Sequence, residues 1–151
     1  MPGAKRVFVD TNVLLYAVDS SNPIRQARAA EWLQHLWTTG QGAISWQVLH
    51  QFYVNAVRKF AVPAVEVRFV VDSLLPWNPI DSSPALIHRA WHWSDTAQLS
   101  HSAFLILAAA ELAGCNVLLS EDFQTGRRFD EIQVVNPFTT APPPPRVTVS
   151  P

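Results

Sequence analysis

With 151 residues, 48% of them hydrophobic, the chain has the size and apolar content of one globular domain with a sizeable core. A formal net charge of -1 gives no overall pull toward nucleic acid, so any such binding has to come from a local basic patch. No apolar run free of polar residues reaches the roughly 18 that a membrane-spanning helix needs. The opening Met1 to Arg6 lacks the apolar core of a secretory signal. Cys115 is the only cysteine, which forbids an internal disulfide and makes a reducing, cytoplasmic setting the expectation.

In chain order, Val7-Phe8-Val9 reads as a short buried strand that ends at Asp10, with Thr11 and Asn12 opening a second apolar stretch. Ser20-Ser21-Asn22-Pro23 signals a loop and a helix start. Ile24, Ala27, Ala30, Leu33, Leu36 and Trp37 then recur at helical spacing up to the break at Gly40-Gln41-Gly42. Ala43-Ile44 is a second short strand, followed by a helix from about Gln47 to Lys59 and another from Ala64 to Leu74 after Pro63. The proline-broken stretch from Leu74 to Asp81 is expected to be a short edge strand. Ser82-Ser83-Pro84 starts a helix running to about Trp93. The strongly apolar Ala103 to Ala113 is a further helix, stopped by Gly114. Val117-Leu118-Leu119 is a buried strand ending at Ser120-Glu121-Asp122, and Ile132 to Val135 is the last strand. From residue 139 on, and above all at Pro142 to Pro145, the composition predicts a disordered tail.

Strands alternating with helices predict an α/β domain of three layers, with a mainly parallel central sheet flanked by helices. In such a sheet the carboxyl ends of the strands face the ligand crevice, and two strands here end in acids, Asp10 and Asp122. Asp10 or Asn12 could equally cap the helix that follows. With Glu121 as a third acid, the set suits a hard divalent cation such as Mg²⁺, which needs only one or two carboxylates beside water and phosphate and can serve phosphodiester cleavage. A solvated loop at Glu121-Asp122 is the competing reading.

Val9-Asp10-Thr11-Asn12-Val13-Leu14-Leu15-Tyr16-Ala17 resembles the first motif of PIN domains, in particular the VapC-type toxins of toxin–antitoxin pairs. The resemblance continues through Ser45 to Tyr53, Leu99 to Cys115 and Leu119 to Gly126, and closes at Val135-Asn136-Pro137-Phe138. It thus covers residues 5–138 as one PIN-like domain. It implies a ribonuclease (an RNA endonuclease) with an acid pocket for Mg²⁺ or Mn²⁺, an antitoxin partner and a homodimer. Asp10 and Asp122 match the first and last acids of that pocket, with Asn12 and Ser120 as polar supports. The two other acid positions are occupied by Gln51 and Ala103, so the resemblance implies weak metal binding and weak cleavage. The alternative is a catalytically inactive PIN-fold protein that keeps its antitoxin- or RNA-binding surface. Losing a carboxylate about 4 Å from a cation forfeits attraction of a few kcal/mol at an effective dielectric near 20, partly offset by recovered solvation.

Further residues invite a role. His50 and His101 flank the altered positions and could act as a general base or bind a softer metal, although a helix-face histidine satisfied by a neighbour is the simpler reading. Ser100, His101 and Ser102 lack the base and orienting group of a nucleophilic triad. Arg127 and Arg128, with Arg58-Lys59, are candidate phosphate contacts, against a merely solvated face. Trp32, Trp37, Trp91 and Trp93 fall on helical patterns, as core or as partner surface. Cys115 reads as a small buried hydrophobe.

Overall fold

The computed structural model describes residues 5–144; the expected tail from residue 145 on lies outside the described residues. The elements in order are β1 (Val7–Val9), α1 (Thr11–Val18), α2 (Pro23–Thr39), β2 (Gly42–Ala43), α3 (Trp46–Arg58), α4 (Ala64–Leu74), α5 (Pro84–Thr96), α6 (His101–Leu112), β3 (Val117–Leu119), β4 (Arg128–Phe129) and β5 (Ile132–Val135). Among the described residues no helix is long and apolar enough to cross a membrane.

The five strands form one sheet in the order β2-β1-β3-β5-β4. β1, β2, β3 and β5 run parallel, and β4 is antiparallel to β5. This is the expected α/β architecture with a mainly parallel sheet. Phe8, Val9, Leu118, Leu119 and Val134 are fully buried, as strands covered by helices on both faces must be. Because β2 lies on one side of β1 and β3 on the other, the chain reverses its direction of progress across the sheet at the β1–β3 pair. An open parallel sheet has its crevice at such a point, beyond the carboxyl ends of the strands. The register Val9↔Leu119 sets those two ends level.

Helix ends follow the expected chemistry. Asn22, Ser45, Ser83 and Ser100 each cap a helix start through the side-chain oxygen. Gly40 (φ +69°) and Gly114 (φ +72°) take the left-handed conformation just past the ends of α2 and α6, where glycine adds no steric penalty.

One local expectation is corrected, and two further features add to those expected. The Leu74–Asp81 stretch contains a 3₁₀ turn at Leu75–Trp77 and then a single bridge between Ser45 and Ile80, rather than an edge strand. Pro76 and Pro79 have no N–H to offer, which leaves Ile80 to donate to Ile44 O and accept from Trp46 N. The β4–β5 hairpin is an addition to the elements expected from the sequence. Its turn contains Asp130 at φ +52° and no glycine, so the usual Asn-Gly or Asp-Gly signature is missing. Order also extends past residue 138: Thr139 and Thr140 N–H donate to Asn136 O, and Thr140 O accepts from the indole N–H of Trp32 at 2.8 Å.

Candidate active site

Asp10 follows β1 directly, its N–H donating to Leu119 O of the neighbouring strand at 3.1 Å. Its side chain caps α1, accepting from Thr11 N–H at 2.7 Å. Asp10 therefore caps α1 while standing at the carboxyl end of β1. Its second oxygen accepts from the Ser120 hydroxyl at 2.6 Å and, more weakly, from the Asn12 amide at 3.4 Å. The same Asn12 nitrogen donates to Asp122 Oδ2 at 3.1 Å and lies 3.2 Å from Ser120 Oγ. Glu121 N–H donates to Asn12 Oδ1 at 3.3 Å, which fixes the amide with its nitrogen toward the acids. Ser120 Oγ also accepts from Asp122 N–H. The structure thus brings Asp10, Asn12, Ser120 and Asp122 together at the carboxyl ends of β1 and β3.

Asp10 is 3% exposed, and burial pushes its carboxyl up to about 6. The bonds from Ser120, Thr11 and Asn12 pull it down, and the charge of Asp122 pushes it up again. Among the described residues no lysine, arginine or histidine forms an ion pair with it. A buried carboxylate of this kind is short of a counter-charge. Asp10 Oδ1 and Asp122 Oδ2 each accept a single hydrogen bond and so keep lone pairs for a cation. This donor set of hard oxygens fits a Mg²⁺ or Mn²⁺ ion that takes its remaining ligands from water or phosphate.

Glu121 does not join the pair. Its carboxylate forms an ion pair with Arg25 of α2, whose guanidinium lies over the edge-to-face pair of Tyr16 and Phe138, 4.9 and 4.8 Å from their centroids. Among the described residues no group of three acids, histidines or cysteines comes together as a metal site. Gln51, on α3, accepts from the Thr11 hydroxyl at 3.2 Å and so touches the segment that carries Asp10. Ala103, half-buried, sits in the first turn of α6. The adjacent Ser102 carbonyl accepts from Gln47, one turn before Gln51 on α3.

The other candidates are placed as follows. Arg127 stacks 4.5 Å over Phe129, and exposed Arg128 lies in β4, separated from β3 by β5. His50 is exposed on α3, and the side chain of His101 lies outside the described residues. Trp32 and Trp93 are core, whereas Trp37 and Trp91 are about half exposed. Cys115 is buried, and desolvation pushes its thiol up to about 12, which makes it an inert packing residue. Sequence reasoning missed Thr11 and Arg25 as parts of the site. Thr11 sits inside the first motif and could have been singled out there. Nothing in the sequence marks Arg25 as the partner of an acid 96 residues away.

No curated protein matches the chain by sequence. The profile of the PIN domain, however, matches residues 7–133, which spans β1 through the start of β5. The acid pair at the β1–β3 switch point and this match lead to one conclusion: the chain belongs to the PIN domain family.

Proposed function

We propose that this PIN domain is a metal-dependent RNA endonuclease of the VapC toxin type, working slowly on a reduced acid set. The observation that carries the reading is the pair of carboxylates, Asp10 and Asp122, sharing one amide donor at the crevice of a parallel sheet. Asp10 and Asp122 would hold Mg²⁺ or Mn²⁺. The ion, when bound, would supply charge neutralisation at the scissile phosphate and a more acidic water. Asn12 and Ser120 orient the two carboxylates, and Gln51 offers a neutral oxygen where a carboxylate would add both charge and a base. An antitoxin protein and a second copy of the chain complete the reading as partners, with the cytoplasm as its setting.

The test is cleavage of a mixed single-stranded RNA pool in Mg²⁺ and in Mn²⁺. The unmodified chain should cleave slowly and Asp10→Asn should not cleave. Restoring the acids as Gln51→Glu with Ala103→Asp should raise cleavage and metal affinity together, by more than the two single changes combined. Both changes suit their positions. Glutamate keeps the acceptor that Thr11 uses, and an aspartate in the first turn of α6 sits favourably at the positive end of the helix. Brisk cleavage by the unmodified chain, abolished in Asp10→Asn, would overturn the reduced-site reading. Calorimetric Mn²⁺ binding by the restored protein without any cleavage would overturn the nuclease in favour of a binding protein.

A further inference from the structure

Between them α3 and α4 line an open cavity of about 150 Å³. Drug-sized ligands occupy pockets of roughly 300 Å³ upward, so this one suits a flat ring system. Trp46, His50 and Tyr53 line it from α3, spaced so that they share one helix face, and buried Leu49 forms its floor. The Trp46 and His50 rings lie 6.1 Å apart with their planes tilted by 35°. Arg68 and Asp72, one turn apart on α4, supply the rim. Arg68 Nε donates to the Tyr53 hydroxyl at 3.1 Å, and its guanidinium lies 5.9 Å from that ring's centroid, so both are held in place. Asp72 forms no ion pair among the described residues.

Building on the RNA reading above, we propose that this cavity receives one unstacked nucleobase of single-stranded RNA, with guanine preferred. Aromatic faces and guanidinium planes are what hold splayed bases in protein–RNA complexes. Guanine presents two adjacent donors, N1–H and the N2 amino group, that match a carboxylate, and acceptors at O6 and N7 that match arginine. Asp72 and Arg68 provide that combination at one rim. The helix that lines the cavity also carries Gln51, which is bonded to Thr11, whose N–H caps Asp10.

The experiment is fluorescence anisotropy with the full chain in EDTA, so that binding is read without cleavage. The probe is an octamer of uridines carrying one guanosine, compared with octamers bearing inosine, adenosine or an abasic site at that position. The guanosine octamer should bind about tenfold more tightly than the abasic one, the size expected for loss of one stacked base. Inosine, which lacks the N2 amino group, should bind several-fold more weakly than guanosine, and Asp72→Asn should erase that difference. Tyr53→Leu, and the exposed His50→Ala as a variant that leaves the core alone, should bring the guanosine octamer close to the abasic level. RNA binding that ignores the base, or discrimination that survives both variants, overturns the pocket and leaves the nuclease reading standing. Absence of any RNA binding overturns both.

Discussion

At the scale of single residues, the energetics centre on Asp10. Its carboxyl is pushed from an ordinary 3.8 up to about 6, so in the folded chain it holds a proton more tightly than when unfolded. The stabilising contribution is therefore complete below about pH 4 and is lost as pH rises through 6. A rise of that size is worth about 3 kcal/mol. In metal-free buffer, denaturant unfolding should show the wild type losing stability relative to Asp10→Asn between pH 4 and 7, by up to that amount. A difference that stays flat across the range would mean that Asp10 is solvated rather than desolvated. Adding Mn²⁺ should abolish the loss at pH 7, because a cation favours the ionised form and releases its proton. The acids at 10 and 122 were legible in the sequence because each closely follows a short apolar strand. Their mutual contact through Asn12 was not, since a hydrogen bond across 110 residues leaves no local pattern. Glu121 looked equivalent to Asp122 in the sequence, and only the packing of α2 against α1 shows it claimed by Arg25.

At the scale of elements, strands and helices with strong periodicity could be read, whereas those defined by what they pack against could not. β3 and β5 begin and end where their apolar runs do, and α4 starts after Pro63 as its sequence indicates. The edge of the sheet was harder. β2 has only two residues, and what protects it is Trp77, whose ring packs against Gly42 so closely that an added Cβ would fall 2.4 Å from it. The glycine thus has a job beyond breaking a helix: it leaves room for an indole that covers an open strand. Gly42→Ala should cost about 1–3 kcal/mol by overpacking, measured by chemical denaturation. Gly42→Ala with Trp77→Leu should recover part of that loss, because the smaller side chain vacates the contested space. Equal destabilisation with and without the Trp77 change would show that the glycine is needed for some other reason.

At the scale of the whole molecule, the described C-terminal segment is anchored as far as Thr140. Phe138 meets the Tyr16 ring edge-on, with centroids 4.8 Å apart, and covers one face of Arg25; Thr140 satisfies the buried Trp32 indole. A chain ending after Ala141 should keep its melting temperature. One ending after Val135 should lose about 2 kcal/mol from the missing aromatic contacts, or roughly 4–8 °C for a chain of this length. Equal melting temperatures for the two truncations would show that the anchoring is weaker than its geometry implies. The wide separation of Asp10 from Asp122 also matters in time. At a synthesis rate of about 5–20 residues per second, on the order of ten seconds pass between the emergence of the first acid and that of the second. During that interval β1 has only β2 beside it, and the central place in the sheet that β3 will fill stays open. An interrupted polypeptide therefore carries one acid and an incomplete sheet. The acid pair forms only once the chain has been made past Asp122.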